Sequence, residues 1–343
     1  MTAPAVPAAP VLEVEGLRTD FTVRSRGLRH TLRAVDGVDL VLRPGETLAV
    51  VGESGSGKST LARSILRLVE PTAGAVTVAG RPLASYRDRR ALYREVQMVF
   101  QDPRSSLDPR QRIRSVLEEP LRLHLRMPAD RREQRVRELL AAVELPPEVL
   151  DRLPAELSGG QRQRVGVARA LSVEPKAVIL DEPTASLDAS TRGVVLDLLA
   201  RLQRETGLAY LLISHDLQAV RRIAHRVHVM YLGRVVESGS TQDVLERPAH
   251  PYTRALLDAA PVAVHRGHTR AFRLSGENPG PFDPPAGCSL APRCPLAEEP
   301  CRATRPAQLP FGGTHHAACP VTHRQVSADL PDTRHQRTEG RPR

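Results

Sequence analysis

Tryptophan is absent from this chain of 343 residues, and aromatic residues make up only 3% of it. Proteins that bind single-stranded nucleic acid use exposed aromatic rings as stacking platforms for the bases. The composition therefore argues against that class of function. Wholesale disorder is also excluded, because a hydrophobic content of 41% is enough to bury a core.

Lysine and cysteine are scarce. Lys58 and Lys176 are the only lysines, so 47 of the 49 basic residues are arginine. We read the formal net charge of +10 as arginines scattered over surface helices, and we predict no nucleic-acid partner. The four cysteines all follow residue 287, and a disulfide framework is not expected in a reducing compartment.

Long hydrophobic runs are missing too. No stretch approaches the roughly 18 consecutive apolar residues that a membrane-spanning helix needs. Residues 1–10 are rich in alanine and proline and lack the basic and apolar regions of a signal peptide, so we expect a disordered N-terminus and a cytoplasmic location.

What is present is an alternation of short apolar runs with amphipathic segments. Thr47–Val51, Ala177–Leu180 and Ala209–Ile213 are typical strands, and the pattern over residues 11–260 predicts an α/β core with a largely parallel sheet. Residues of about 102–170 carry helical patterns only, which predicts a helical insertion. Residues 261–324 are dense in proline, glycine and cysteine, so we expect a loop-rich extension with little regular structure. We expect residues 325–343 to be a disordered tail.

A phosphate-binding loop is predicted where an apolar strand meets a helix. Residues 52–59 fit the pattern G-x-x-x-x-G-K-[ST], in which glycines let backbone N–H groups turn towards phosphate oxygens. The lysine supplies positive charge to the β- and γ-phosphates, and the serine that follows it can hold Mg²⁺. The candidate nucleotide-binding residues here are Gly52, Glu53, Ser54, Gly55, Ser56, Gly57, Lys58, Ser59 and Thr60.

Two carboxylates end a second apolar strand, residues 177–180. Ligands bind at the carboxyl ends of parallel strands, so Asp181 is expected near Mg²⁺. Glu182 is placed to accept a proton from an attacking water or to orient it.

A third motif, at residues 157–161, reads Leu-Ser-Gly-Gly-Gln and resembles the signature of ABC ATPases. Three further residues stand in the order that this family shows. Gln101 resembles its Q-loop glutamine, Asp188 its D-loop aspartate and His215 its switch histidine. The signature contributes Ser158, Gly159, Gly160 and Gln161 as candidate nucleotide-binding residues.

The resemblance implies a P-loop, RecA-like ABC ATPase core with an antiparallel β subdomain and a helical subdomain at about 102–170. It also implies a head-to-tail dimer, in which the signature of one subunit meets the ATP of the other. Lys58 and His215 would bind the γ-phosphate. Mg²⁺ would be held by Ser59, Asp181 and Gln101, and Glu182 would be the general base.

One departure from the family concerns adenine. The family stacks the base on an aromatic residue before the phosphate loop, but Arg29–Arg33 contains no Phe, Tyr or Trp. His30 or Phe21 is the substitute that the sequence offers.

Other segments resemble one branch of the family. Residues 213–217, 229–234 and 250–256 are similar to those of oligopeptide/dipeptide importer ATPases, and residues 101–110 to the F-type subunit. The resemblance implies a paralogous D-type ATPase as partner and two permeases in the membrane. This chain would contact the permeases near Gln101–Ser115. A peptide-binding protein would be an indirect partner, because it would bind the permeases rather than this chain. The chain would then sit peripherally on the cytoplasmic face. A nickel or other small-solute importer, or a soluble ABC ATPase acting on ribosomes or DNA, stays open as an alternative.

The cysteines complete the resemblance to this branch. Their spacing is C-x₅-C-x₆-C-x₁₇-C, and the resemblance implies that Cys288, Cys294, Cys301 and Cys319 ligate a [4Fe–4S] cluster. A zinc site and unliganded thiols remain the alternatives, although the short C-x₂₋₄-C spacing usual for zinc is missing.

Overall fold

The structure is a computed structural model that describes residues 9–25, 28–102, 106–259, 272–276, 279 and 285–329. Most of the N-terminal segment expected to be disordered, residues 1–8, lies outside the described residues, as do residues 330–343 of the expected tail.

Twelve strands form two sheets in the described part of the chain. A sheet of four antiparallel strands has the order β2-β1-β4-β5, and a sheet of eight has the order β11-β12-β10-β9-β3-β8-β7-β6. The strands are β1 (Leu12–Ser25), β2 (Leu28–Leu42), β3 (Thr47–Val51), β4 (Ala73–Val78), β5 (Arg81–Pro82), β6 (Val96–Val99), β7 (Ala177–Asp181), β8 (Ala209–Ser214), β9 (Arg226–Tyr231), β10 (Arg234–Ser240), β11 (Leu309–Gly312) and β12 (His315–Ala317).

Eleven α-helices are described. They are α1 (Lys58–Ile65), α2 (Arg89–Glu95), α3 (Ile113–Leu125), α4 (Ala129–Ala142), α5 (Gly159–Leu171), α6 (Ala189–Thr206), α7 (Leu217–Ile223), α8 (Thr241–Glu246), α9 (Pro251–Asp258), α10 (Glu299–Ala303) and α11 (Pro320–Asp329). None of the described helices is long and apolar enough to cross a membrane.

The middle of the larger sheet is parallel and buried on both faces. Strands β6, β7, β8, β3 and β9 pair in parallel, and every residue of β3, β7 and β8 is buried. In β3, Ala49 and Val51 join the hydrophobic cluster on one face, whereas Leu48 and Val50 join the cluster on the other. This two-sided burial explains why the strands appear in the sequence as continuous apolar runs. The prediction of an α/β core with a largely parallel sheet is confirmed.

Most described residues of the extension lie in turns and loops, as expected, but the extension also contains short regular elements. Helices α10 and α11 and strands β11 and β12 all lie in residues 285–329, and β12 pairs with β10 at the edge of the main sheet. The pattern escaped prediction because two-strand additions of three or four residues carry too little periodicity to be recognised. Helix α11 also reaches Asp329, inside the segment expected to be a tail.

A buried carboxylate fastens this extension to the core. Glu237 on β10 is fully buried, and its two oxygens accept hydrogen bonds from the backbone N–H groups of Ala249 and His250, both at 2.8 Å. The Nε2 atom of His315 on β12 lies 2.7 Å from Oε1 of the same carboxylate. A buried charge is costly unless it is fully hydrogen-bonded, so the three contacts tie the two segments together.

Two buried histidines predict a stability profile. Burial lowers the pKa of His228 to about 3 and that of His250 to about 4. Between pH 6.5 and 4 the unfolded chain therefore binds protons that the folded chain does not, and stability falls as pH falls. We expect the urea midpoint to drop over this range, with a slope in unfolding free energy approaching about 2.7 kcal/mol per pH unit. Urea titrations of the wild type and His228→Gln check this. The variant should lose about half of that slope, and an unchanged slope would contradict the assignment.

Candidate functional site

The predicted site residues meet at the carboxyl edge of the parallel sheet. Strand β3 lies beside β8, which lies beside β7, and in this register Val51 is opposite Ser214 and Asp181 is opposite Ile213. The loops that leave these strands therefore open onto the same edge. This is the edge where open α/β sheets bind ligands.

The loop after β3 requires its glycines. Gly52 and Gly57 have φ values of 152° and 104°. A Cβ on Gly52 would lie 2.1 Å from the carbonyl oxygen of Met230, and a Cβ on Gly57 would lie 2.1 Å from that of Ala34. The backbone therefore packs against its neighbours at a distance that no side chain allows, and it delivers the first N–H groups of α1 to the open edge.

Lys58 begins α1 and points its ammonium back into the loop. The Nζ atom donates to the carbonyl oxygens of Gly52 at 2.9 Å and Glu53 at 2.8 Å, and to Oγ of Ser56 at 3.2 Å. Burial lowers the pKa of Lys58, and the carboxylates of Glu182, Asp181 and Glu53 oppose that effect. A desolvated ammonium surrounded by weak acceptors is suited to bind phosphate oxygens.

A hydroxyl and a carboxylate stand beside this lysine. Oγ of Ser59 donates to Oδ1 of Asp181 at 3.2 Å. Burial raises the pKa of Asp181, the hydrogen bond from Ser59 opposes that rise, and the charge of Glu182 adds to it. Mg²⁺ prefers oxygen ligands such as hydroxyls and carboxylates. Ser59 and Asp181 together could therefore hold this ion.

Glu182 has an unusual backbone and a direct contact with His215. Its φ of 50° lies in the left-handed region, which costs a residue with a side chain of the order of 1–3 kcal/mol. The N–H of Glu182 donates to the carbonyl oxygen of Ile213 at 2.8 Å, which holds the strained turn in place. Its Oε2 lies 2.5 Å from Nδ1 of His215, whose side chain is 61% exposed. Strain of this kind concentrates at functional sites.

These residues border a pocket of about 440 Å³. Its lining includes Ser54, Lys58, Gln101 and Glu182, together with Phe21 and other residues of the β1–β2 hairpin. Of the two residues that the sequence offers for adenine, Phe21 lines this pocket. His30 is not among the described residues that line it.

The predicted signature residues lie apart from this pocket. Ser158 caps α5, accepting from the N–H of Gln161 at 3.2 Å, while the amide oxygen of Gln161 accepts from the N–H of Ser158 at 2.9 Å. Asp188 caps α6, where hydrogen bonds from Ser190 and Thr191 lower its pKa. The described lining of the phosphate-loop pocket includes none of Ser158–Gln161, nor Asp188. These helix starts are therefore separate from the phosphate-loop pocket of their own chain.

The structure adds two contacts to the phosphate loop that the sequence analysis missed. The hydroxyl of Tyr252 on α9 accepts from the N–H of Glu53 at 2.8 Å. Arg293, in the extension, places NH1 3.6 Å from Oε2 of the same Glu53. The one feature of the sequence that relates to these contacts is the motif at residues 250–256. It indicated a branch of the family, but it did not predict that Tyr252 contacts the phosphate loop.

The four cysteines line one largely apolar pocket of about 230 Å³. Gly287 is essential there, because a Cβ would lie 2.3 Å from the carbonyl oxygen of Cys301, to which Cys288 donates its N–H at 2.7 Å. Burial raises the pKa of Cys288, and it raises that of Cys294 to about 11. Both are thiols at neutral pH unless a metal cation stabilises the thiolates. No group of three or more His, Cys, Asp or Glu side chains placed to hold a metal ion occurs among the described residues. The four thiols therefore line the same pocket, but within the described residues they are not arranged as a set of metal ligands.

An apolar groove of about 290 Å³ lies between β6, α3 and α5. Leu68, Phe100 and Leu123 line it, and they are 48%, 42% and 43% exposed. Large hydrophobic side chains that gather in an exposed groove are typical of a surface that another protein covers. The groove includes Leu107, within the stretch Gln101–Ser115 that the sequence analysis singled out.

Comparison with known families gives two matches. The ABC transporter family matches residues 35–185, and the family described as oligopeptide/dipeptide transporter, C-terminal region, matches residues 236–301. The oligopeptide transport ATP-binding protein AppF of Bacillus subtilis is 43% identical over 317 residues, 90% of this chain and 96% of that protein. The di/tripeptide transport ATP-binding protein DppF of Pseudomonas aeruginosa is 47% identical over 302 residues, 86% of this chain and 93% of that protein.

Solved structures agree. One similar structure is cbiO1 from Clostridium perfringens, part of the ABC transporter complex cbiONQ. It gives a TM-score of 0.61 at 30% identity, covering 69% of this chain and 91% of that one. Another is the ATP-binding cassette MJ0796, in a dimeric post-hydrolysis state bound to ADP and Pi. It gives a TM-score of 0.60 at 28% identity, covering 67% of this chain and 98% of that one.

Proposed function

This chain belongs to the family of ABC transporter ATP-binding proteins, and we propose that it binds and hydrolyses ATP to power an importer of di- or oligopeptides. One observation carries the proposal. A single chain joins a phosphate-loop site to the C-terminal region of oligopeptide/dipeptide transporters. Relatives named for peptide transport cover nearly its whole length. The chain would lie peripherally on the cytoplasmic face of the membrane.

The chemistry follows from the carboxyl edge of the sheet. Lys58 and the N–H groups of α1 bind the terminal phosphates, and His215 contacts the γ-phosphate. Mg²⁺, when bound by Ser59, Asp181 and Gln101, neutralises phosphate charge. Glu182 accepts the proton of the attacking water, and its hydrogen bond with His215 sets the direction of the acceptor.

A second ATPase completes the site. Ser158 caps the start of α5, and Ser158–Gln161 do not line the pocket of their own chain. A helix N-terminus favours anions, so this surface suits the γ-phosphate bound to a partner subunit. We propose that the partner is a paralogous D-type ATPase, arranged head to tail with this chain, and that Asp188 lies at the same interface.

Replacing the proposed general base tests the chemistry. Glu182→Gln keeps the shape of the side chain but removes its basicity, so kcat for ATP hydrolysis should fall about 10²–10⁴-fold while ATP binding persists. Phosphate release by this chain assembled with its partner ATPase measures this. The matched control is Glu148→Gln, at an exposed position of the short 3₁₀ helix Pro147–Asp151, which should retain wild-type turnover. Near wild-type turnover by Glu182→Gln would refute the assignment of the base.

The apolar groove is proposed as the surface that receives a permease. Of its exposed side chains, Leu123 lies on α3 of the helical subdomain, Phe100 follows β6 and Leu68 follows α1. None of the three lines the phosphate-loop pocket. A permease segment that buries them would gain hydrophobic free energy and would follow the movement of the subdomain.

Leu123→Asp tests this surface. The change places a charge in the groove and should weaken recovery of the two permeases by about 30-fold, as expected for a central interface residue. ATP hydrolysis by the chain assembled with its partner ATPase should be retained, because Leu123 does not line the nucleotide pocket. Val326→Asp, an equally exposed apolar position on α11, is the control and should recover permeases normally. Equal recovery with both variants would exclude the groove.

We also propose that the cysteine pocket holds a [4Fe–4S] cluster, supported by the convergence of four thiols on one apolar pocket and by their spacing. Bound there, a cluster would cross-link the turn at Cys288 and Cys294 to α10 and to the start of α11. The protein would supply the four thiolate ligands and the apolar walls that limit the access of water to the cluster.

Elemental analysis tests the cluster. Anaerobically purified chain should contain about four iron and four sulfide per molecule, and Cys294→Ser should lose most of both. Thr304→Ser, which also lines the pocket, should keep the wild-type content. One zinc per chain would assign the site to zinc instead. Four free thiols without metal would contradict any metal site.

A further inference from the structure

The wall of the nucleotide pocket is not built by the ATPase core alone. Ser289 and Arg305 belong to the C-terminal extension, yet both line the same pocket as Lys58. The extension reaches the pocket because β11 and β12 dock on the main sheet and Arg293 pairs with Glu53 of the phosphate loop. An extension placed in this way can contact whatever the phosphate loop binds.

Positive charge is in surplus at this wall. Asp36 is buried, and four guanidinium groups surround its carboxylate. Arg234 donates through Nε at 2.9 Å, and Arg18, Arg305 and Arg33 lie 3.3, 3.6 and 3.7 Å away. A second carboxylate, Asp20, lies 3.4 Å from Arg33. Two negative charges thus face four positive charges, and the surplus is suited to attract an anion.

Among these arginines, Arg305 is the one best placed to change partner. Its side chain is 40% exposed, and within the described part of the chain its ion pair is with Asp36 alone. Arg234 and Arg33 already hold the same carboxylate. Burial and the charge of Arg234 lower the pKa of Arg305, and Asp36 offsets this only in part. A further anion near Arg305 would relieve the repulsion at little cost, because the existing pair is long and shared.

The position of Arg305 in the pocket indicates which group of a bound nucleotide it would contact. Lys58 and the start of α1 serve the terminal phosphates, whereas Arg305 and Arg33 border the pocket together with Phe21 and Leu32 of the β1–β2 hairpin. A nucleotide whose terminal phosphates rest on the loop would extend its nucleoside towards that hairpin. The first anionic group along that path is the α-phosphate.

We propose that Arg305 is a nucleotide-binding residue supplied by the extension, and that its guanidinium binds the α-phosphate of ATP. The proposal rests on the proposed function, because it requires that ATP occupy the phosphate loop. It makes the extension part of the nucleotide site, so that nucleotide binding and docking of the extension support each other.

The experiment is calorimetric titration of the purified full chain with ATP and with ADP. Arg305→Gln should weaken both nucleotides by about ten-fold, because both carry the α-phosphate and a charge-assisted hydrogen bond is lost. Arg305→Lys should restore part of the affinity, and thermal stability should stay at the wild-type value. The matched control is Arg18→Gln, which also removes an ion pair to Asp36 but from a side chain that does not line the pocket. It should bind both nucleotides within two-fold of the wild type.

The outcomes separate this proposal from the proposed function. Binding by Arg305→Gln within two-fold of the wild type would overturn the proposal, and so would an equal loss with Arg18→Gln, because the arginines would then act only by holding Asp36. Lys58→Ala tests the ATP site itself. If that variant keeps full affinity, the proposed function fails. If it loses affinity while Arg305→Gln does not, only the role of Arg305 fails.

Discussion

The burial of one ammonium group is the constraint on which the rest of the site depends. Lys58 is withdrawn from water and held by loop carbonyls, with the carboxylates of Asp181 and Glu182 nearby. The loop can turn around the ammonium only because Gly52 and Gly57 lack a Cβ. The carboxylates reach it only because β7 and β3 end at the same edge of a parallel sheet. The loop conformation, the order of the strands and the nearby carboxylates therefore together compensate the burial of the Lys58 ammonium.

The extension is coupled to that constraint through short polar contacts. Glu237 joins β10 to His315 on β12, and Arg293 reaches Glu53 in the phosphate loop. Tyr252 holds the N–H of Glu53 from the other side. A segment that looks like a loop-rich appendage in the sequence thus borders the nucleotide pocket and contacts its loop.

Much of the fold could be predicted from the sequence, because the parallel strands are buried on both faces and appear as apolar runs. The phosphate loop, Asp181 and Glu182 were predictable because their chemistry demands fixed spacing, and the structure brings them together. The role of Arg305 could not be predicted, because one arginine among a total of 47 carries no local pattern. Its meaning depends on a fold-level contact with Asp36, far away in the chain. Strands β11 and β12 escaped for a related reason: they are too short to show alternation.

The most direct test of the central claim is isolation of this chain from gently solubilised native membranes, with the associated proteins identified by mass spectrometry. If this chain is the ATPase subunit of an importer, it should be recovered with two permeases that span the membrane several times and with a paralogous ATPase. A solute-binding protein recovered with them would identify the class of solute. Recovery with ribosomes or DNA, and without any permease, would contradict the transport account and leave an ABC ATPase of another function.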